Sequence, residues 1–463
     1  MREQYLWCKK GDAVSLDNHN YLTIAENAVQ KAKAAGAALA EAYLLSSKEL
    51  LIEVRRQEVE TMKLAADRGL GLRIINHGRV GFAYTTELNE SGLARVVSQA
   101  LANSAIAEPD QFYTLPEITG TYPELAIYDP AIRAATVEHK IDLALAMERA
   151  AKAFDARIKV IESAAYQDAE VAVSVVNSLG LQAWYKSAYC GLYLSLVAGE
   201  GEDSQTGFAM KYSLQLADLD PAFIGRQAAE RAVRMLGAKP VNSQRATVVL
   251  DPYVAAGFLG LLAPALSGEA VQKGRSLFAG KVGQKVASPP VTVVDDGRLP
   301  GGIAAAPFDG EGVPTAETVL IKDGVLQGFL HNTYTAAREG VRSTGNGVRG
   351  SFKSTPEVGT TNFFIRPGQV SSEQIIKDVE RGLYVTEVLG MHTANPISGD
   401  FSLGAAGLWI ENGQFTRPVR GVAIAGNIMD LLGSVDAVGN DLEFFGGKGS
   451  PTLRIASMAL SGS

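Results

Sequence analysis

Two turn dipeptides constrain this chain more than any other feature of it. Asp323-Gly324 interrupts an apolar-rich run at residues 321–330, and Asn412-Gly413 interrupts another at residues 408–415. Both residues of such a pair accept positive φ, so each run predicts two antiparallel strands joined by a tight turn. Asn76-His77-Gly78 predicts a further hairpin between residues 72–75 and 80–84, with His77 in the turn because His tolerates positive φ. Hairpins at both ends of the chain point to antiparallel sheet with helices beside it, an α+β pattern rather than a βαβ alternation. Between the two C-terminal hairpins, residues 343–347, 360–368 and 395–401 are polar and Gly-rich, yet too ordered in composition to be linkers.

The remaining elements follow from periodicity and punctuation. Apolar residues at helical spacing over 21–36, a helix from Asn89 or Ser91 to about 105, and helices over 137–154 and 221–236 flank short strands. Those strands fall at 42–45, 50–54, 59–64, 171–176, 181–187 and 189–197. The second group of elements repeats the style of the first without a residue-level repeat. A connector over 108–130 and the Lys239-Pro240 step divide the chain into residues 1–125, 126–238 and 239–463. The last part opens with a strand at 246–250. Asp251-Pro252 then starts a helix, an N-cap carboxylate followed by a proline that needs no hydrogen-bond partner. Residues 254–262 continue it as a buried helix, apolar almost all round. Short strands and turns run from there to 460, with one helix near 372–381, giving a β-rich, barrel-like domain of mixed and antiparallel strands around a buried helix.

Composition narrows the function classes. A net charge of −7 opposes a nucleic-acid footprint, which needs clustered Lys and Arg. Cys8 and Cys190 stand too far apart to suggest a disulfide framework or a metal knuckle. The first twelve residues mix charges without a long apolar core and read as no signal peptide. The longest apolar run, 254–266, is too short to span a bilayer. A soluble cytoplasmic protein that engages neither membrane nor nucleic acid is the expectation.

A zinc hydrolase needs converging His or thiolate ligands and a Glu to take a proton from bound water. The five histidines are His19, His77, His139, His331 and His392; none lies within a helical turn of another, and none precedes Glu. His331 and His392 read as hydrogen-bonding residues at strand ends. Gly345 to Gly350 satisfies G-x-G-x-x-G but follows a helix-like segment at 335–340 and precedes Pro356, the wrong context for a dinucleotide site. The Gly447-Lys448-Gly449-Ser450 run echoes a phosphate loop but lacks its upstream Gly and the Ser or Thr after Lys. Asp295-Asp296 and Asp309-Gly310-Glu311 read as solvated acidic turns.

In the order and spacing of its hairpins and Gly-rich segments after Lys239, the chain resembles the C-terminal domain of the TldD/PmbA family. These are peptidases once named modulators of DNA gyrase, and the resemblance extends over about 40–460. The catalytic branch carries His-Glu-x-x-x-His on the buried helix and a Cys before Gly-Lys near the C-terminus. By that resemblance the His positions fall at Leu259 and Pro264, the Glu at Gly260 and the Cys at Gly446 or Gly447. No inferred ligand or base remains, as in the PmbA/TldE branch.

The resemblance therefore implies no catalytic residue, no metal and no cofactor in this chain, with zinc in a TldD-like paralogue that carries His-Glu-x-x-x-His. The pair would cut peptides or unfolded segments, and the chain alone could form a homodimer. Substrate-cleft candidates are Ser343, Thr344, Gly345, Asn346, Thr361, Asn362, Ser398 and Asp400. Two rival readings are a stand-alone peptide-binding protein and a hydrolase with a site unrelated to the family's zinc.

Overall fold

The helices and strands of the N-terminal half are arranged around one antiparallel sheet. The structure, a computed structural model, describes residues 18–117 and 121–462. The segment read as no signal peptide, with Cys8, lies outside the described residues. Helix α1 (Asn18–Ala34) is followed by β1 (Leu39–Arg55), β2 (Glu58–Asn76), β3 (Arg79–Thr85) and α2 (Glu90–Ile106). After the short α3 (Pro130–Ala134), the order recurs as α4 (Val137–Phe154), β4 (Ile158–Asn177), β5 (Gln182–Glu200), β6 (Asp203–Ser213) and α5 (Pro221–Val233). The strands join in the order β3-β2-β1-β4-β5-β6, so the two helix–three-strand–helix units meet across β1 and β4. Even-numbered residues of β1, such as Ala42, Leu44 and Ile52, face the helices. Tyr43 faces the C-terminal half with Phe308 and Phe352.

Asn89, one of the two residues the sequence offers as the α2 cap, is the cap, and side chains at two further helix starts do the same. Asn89 accepts from Gly92 N, Thr136 from His139 N and Asp220 from Phe223 N. The strands are longer than expected. Segments 42–45 and 50–54 are one strand, as are 181–187 and 189–197, because partners on both sides pair their polar middles. Strand β6 has no counterpart in the sequence reading. The β2–β3 turn falls at Asn76-His77-Gly78 as expected, with His77 at φ 50° and Gly78 at 74°.

Where β3 and β6 pass under α2 and α5, only glycine fits. A Cβ on Gly81 would lie 1.9 Å from the Ala100 carbonyl oxygen, and one on Gly207 would lie 2.3 Å from that of Ala228. The two units thus share a close-packing device that the sequence comparison does not reveal. Gly81→Ala must push α2 off the sheet and should cost about 1–3 kcal/mol, read as a lower urea midpoint at unchanged slope.

The C-terminal half holds a closed barrel and a second sheet with a helix between them. It begins with β7 (Gln244–Leu250), α6 (Pro252–Leu262), α7 (Gly268–Gln272), β8 (Val293–Asp296), β9 (Glu317–Lys322) and β10 (Val325–Leu326). Then come α8 (Thr333–Glu339), β11 (Gly347–Val348), β12 (Glu357–Val358), β13 (Phe363–Ile365), α9 (Ser372–Lys377) and β14 (Arg381–Leu389). The chain closes with β15 (Asp400–Glu411), β16 (Gln414–Asn427), α10 (Ile428–Gly433), β17 (Val435–Val438), β18 (Glu443–Phe445), β19 (Lys448–Ser450) and β20 (Leu453–Ser461). Strands β16-β15-β14-β7-β20 form a ring that the β16–β20 pairing closes; β14 and β7 run parallel and the other pairs antiparallel. Strands β10-β9-β8-β13-β19-β18 form the second sheet, and α6 packs against strands of both.

Asp323-Gly324 and Asn412-Gly413 form the β9–β10 and β15–β16 turns, with all four residues at positive φ. The expectation of only short strands here fails: β15 and β16 have 12 and 14 residues, because ring closure pairs β16 on both edges. Helix α10 was not expected either. No helix among the described residues is long and apolar enough to cross a membrane.

A buried ionic network joins the two halves. Arg73 on β2 bonds Glu41 on β1 at 2.8 Å and Glu311 of the C-terminal half at 2.9 Å. Arg349 pairs with Glu41 from the other side. Glu41 and Glu311 are fully buried, and Glu311 also accepts the Thr333 N–H at 2.8 Å. Charges this far from water are tolerated only when paired and hydrogen-bonded, so the network fixes how the halves register.

Candidate functional site

Helix α6 carries the positions that the resemblance singles out. Asp251 caps it, accepting from Tyr253 N at 3.0 Å and from the Tyr384 hydroxyl at 2.7 Å. The helix ends at Leu262, because Pro264 has no N–H with which to continue the hydrogen-bond ladder, and Pro264 opens a 3-10 turn. Leu259 is buried in the C-terminal core, whereas Gly260 and Pro264 face a cleft of about 450 Å³.

The opposite wall is the β18–β19 turn. Gly446 adopts φ 69°, and Gly447 is required because a Cβ there would lie 2.8 Å from the Thr361 carbonyl oxygen. The turn delivers Lys448 against α6. Its Nζ is 3.0 Å from where a Cβ on Gly260 would sit, and Lys448 makes no ion pair or side-chain hydrogen bond with the described residues. Lys273 and Arg275, in and just after the α7 region, line the cleft, as do Thr360 after β12 and Ile397.

These residues do not fit a zinc ion. Leu259, Gly260, Pro264, Gly446 and Gly447 have no side-chain nitrogen, sulfur or carboxylate to offer, and the side chain that stands against Gly260 is an ammonium. Among the described residues, no three His, Cys, Asp or Glu side chains group as a metal site would require. His331 is buried beside α8, its Nδ1 3.2 Å from Thr335 Oγ1, and burial pulls its pKa below the ordinary histidine value. His392 lies in a 3-10 turn just past β14 rather than at a strand end.

The cleft candidates separate into three positions. Ser343 donates to the His331 carbonyl, Thr344 donates to Asn346, and Gly345 turns the chain at φ 75°. Asn346 donates to Asp295 at 2.7 Å, and Thr361 donates to the same carboxylate through N–H and Oγ1, at 2.7 and 2.9 Å. Asn362 donates to the Asp296 carbonyl and accepts from Ala304 N. Asp295 thus draws residues 343–347 and 360–363 together; of these only Thr360 lines the cleft, and none of the candidates named from the sequence does. Ser398 and Asp400 bond each other at 2.8 Å and share Asn427, next to the Pro396-Ile397 rim.

The acidic turns are not solvated. Asp295 is 1% exposed, Asp309 8% and Glu311 0%, because each carboxylate satisfies inward-pointing donors. Asp309 accepts from Glu311 N, Val313 N and Gly347 N, which seats the Gly-rich run. That run pairs Gly347-Val348 with Glu357-Val358 as a ribbon and opens no helix, as its context predicts.

Sequence reasoning missed Lys273 and Arg275 and met Lys448 only inside a failed phosphate-loop pattern. The usable signal was the turn itself: two glycines before Lys448 hold its backbone close to α6.

With this geometry in place, known proteins give a consistent picture. Residues 243–462 match the PmbA/TldA metallopeptidase C-terminal domain, residues 130–236 its central domain and residues 40–104 its domain 1. Metalloprotease PmbA of Escherichia coli O157:H7 is 30% identical over 408 residues, covering 87% of this chain and 88% of that protein. The metalloprotease TldD homolog of Haemophilus influenzae is 29% identical over 396 residues, covering 81% and 80%. The crystal structure of TldE from Thermococcus kodakarensis superposes with a TM-score of 0.89 at 26% identity, covering 95% of this chain and all of the other. On the three domain matches and the similarity along most of its length, the chain belongs to the PmbA/TldD metallopeptidase family.

Proposed function

We propose that this chain is the PmbA/TldE-type subunit of a cytoplasmic zinc metalloprotease complex, non-catalytic alone. Its mate is a TldD-like paralogue bearing His-Glu-x-x-x-His, and the pair cuts peptides and unfolded segments. The observation that supports the reading is the cleft itself: Gly260 and Pro264, where the resemblance expects a base and a ligand, bring no metal-binding side chain to it, and the Lys448 ammonium abuts Gly260. Percent identity does not discriminate, since a PmbA-named relative is 30% identical and a TldD-named one 29%. Two chains of one fold can pack in a near-isologous pair, and an obligate interface of this kind buries more than about 2,000 Å². The same surface allows a homodimer when the paralogue is absent.

The test is reconstitution. The pure chain should show background hydrolysis of casein and of unfolded peptides, with clear activity once the paralogue is added. Replacing the paralogue's Glu by Gln should lower that activity by about 10²- to 10⁴-fold, the usual contribution of a positioned general base. A paralogue fully active alone, which never co-purifies with this chain, would replace this reading with a stand-alone peptide-binding protein. Hydrolysis by the pure chain would point instead to a site unrelated to the family's zinc.

A further inference from the structure

The cleft over α6 is cationic in a chain whose net charge is −7. Among the described residues it is lined by Lys273, Arg275 and Lys448 and by a single carboxylate, Glu269. Glu269 is already engaged, since it pairs with Lys273 one helical turn away. Arg275 and Lys448 therefore remain without an acidic partner among the described residues, and Lys448 stands against the bare backbone of Gly260. The surfaces beside these charges are apolar: Pro264, Ala263, Leu330 and Val358 on the walls and Ile397, 54% exposed, on the rim. The volume, about 450 Å³, lies within the range of small-ligand sites.

A site of this kind suits a ligand with one anionic group next to an apolar one. We propose that the cleft captures the terminal carboxylate of a peptide, with Lys448 as its counter-ion, Arg275 as a second cation, and the last side chain against Pro264 and Ile397. A peptide C-terminus has this chemistry, whereas a phosphate or a second acidic residue would leave the apolar walls unused. Gly260 then has a role of its own. Any side chain there would meet the Lys448 ammonium, and a carboxylate at 260 would neutralise it from within. The inference rests on the proposed function only in taking a peptide as the ligand.

Binding is measured on this chain alone, without the paralogue and without proteolysis, so its failure and the failure of the subunit reading are distinguishable. The probes are dansyl pentapeptides ending in Ala, Val, Leu or Phe, each as free acid and as amide, followed by fluorescence anisotropy at low salt. At least one acid should bind about ten-fold more tightly than its amide, the effect of one charge-assisted contact. Lys448→Gln should abolish that ratio and Lys448→Arg should retain most of it. Lys448 is solvent-exposed, so both variants should melt with the wild type, and Arg275→Gln supplies an independent weakening. Equal binding of acid and amide throughout the series, or a ratio that survives Lys448→Gln, overturns the proposal. Amides carrying an internal Glu that bind as well as the free acids overturn it too, by assigning the site to acidic side chains.

Discussion

Replacement of Arg73 by methionine is expected to lower the unfolding free energy by about 3–5 kcal/mol, the usual cost of removing one partner from a buried ion pair. The methionine fills much of the same space, so packing changes little and charge dominates. Glu41 keeps Arg349, but among the described residues Glu311 is left with a single backbone N–H from Thr333 and no cation within bonding distance. Both carboxylates are fully buried, so water cannot substitute without opening the interface between the sheet and the C-terminal half. Urea unfolding measures the loss. A variant within about 1 kcal/mol of wild type would mean that this network adds little beyond what exposed pairs contribute.

Stability should also fall as pH rises from about 4 to about 8, the window over which the Asp309 carboxyl differs between the two states. In the folded chain this carboxyl is pushed up to about 8, chiefly by burial and next by the neighbouring Glu311 carboxylate, against N–H donors from Gly347, Glu311 and Val313. Above the unfolded pKa and below the folded one, the native state holds a proton that the unfolded chain has lost. Raising the pH therefore favours unfolding, by at most about 1.4 kcal/mol per pH unit for one proton, and the contribution is gone above the folded value. Urea midpoints across this window, compared with those of Asp309→Asn, isolate the term. The wild type should lose stability with pH more steeply than the variant, whatever the variant's absolute stability, since the other buried carboxyls whose pKa is raised, Asp295 among them, are common to both. Equal slopes would mean that Asp309 is ionised in the native state and held by its backbone donors.

The chemistry at α6 was partly legible beforehand. The residue types at 259, 260, 264, 446 and 447 are facts of sequence, and side chains without donors cannot hold a metal in any fold. That Lys448 faces Gly260 was not legible, because it depends on how the β18–β19 turn packs against a helix far away in the chain. The cationic cleft is hidden for the same reason: its charges come from separate elements.

The sequence by itself determined what is governed within a few residues. Asn412-Gly413, Asp323-Gly324 and His77-Gly78 form turns because those pairs accept positive φ without help from elsewhere. Asn89, Thr136, Asp220 and Asp251 cap helices because their side chains reach the next N–H groups. Only the tertiary structure decided what depends on distant partners. Arg56 and Gln57 take positive φ, at 55° and 62°, in a turn with no glycine; the buried Glu148 carboxylate accepts both of their N–H groups, at 3.0 and 2.9 Å. Asp295 is buried because Asn346 and Thr361 arrive from 51 and 66 residues away to satisfy it. A polar residue's local neighbours say that it needs partners; whether those partners are water or protein is fixed only when the sheets close over it.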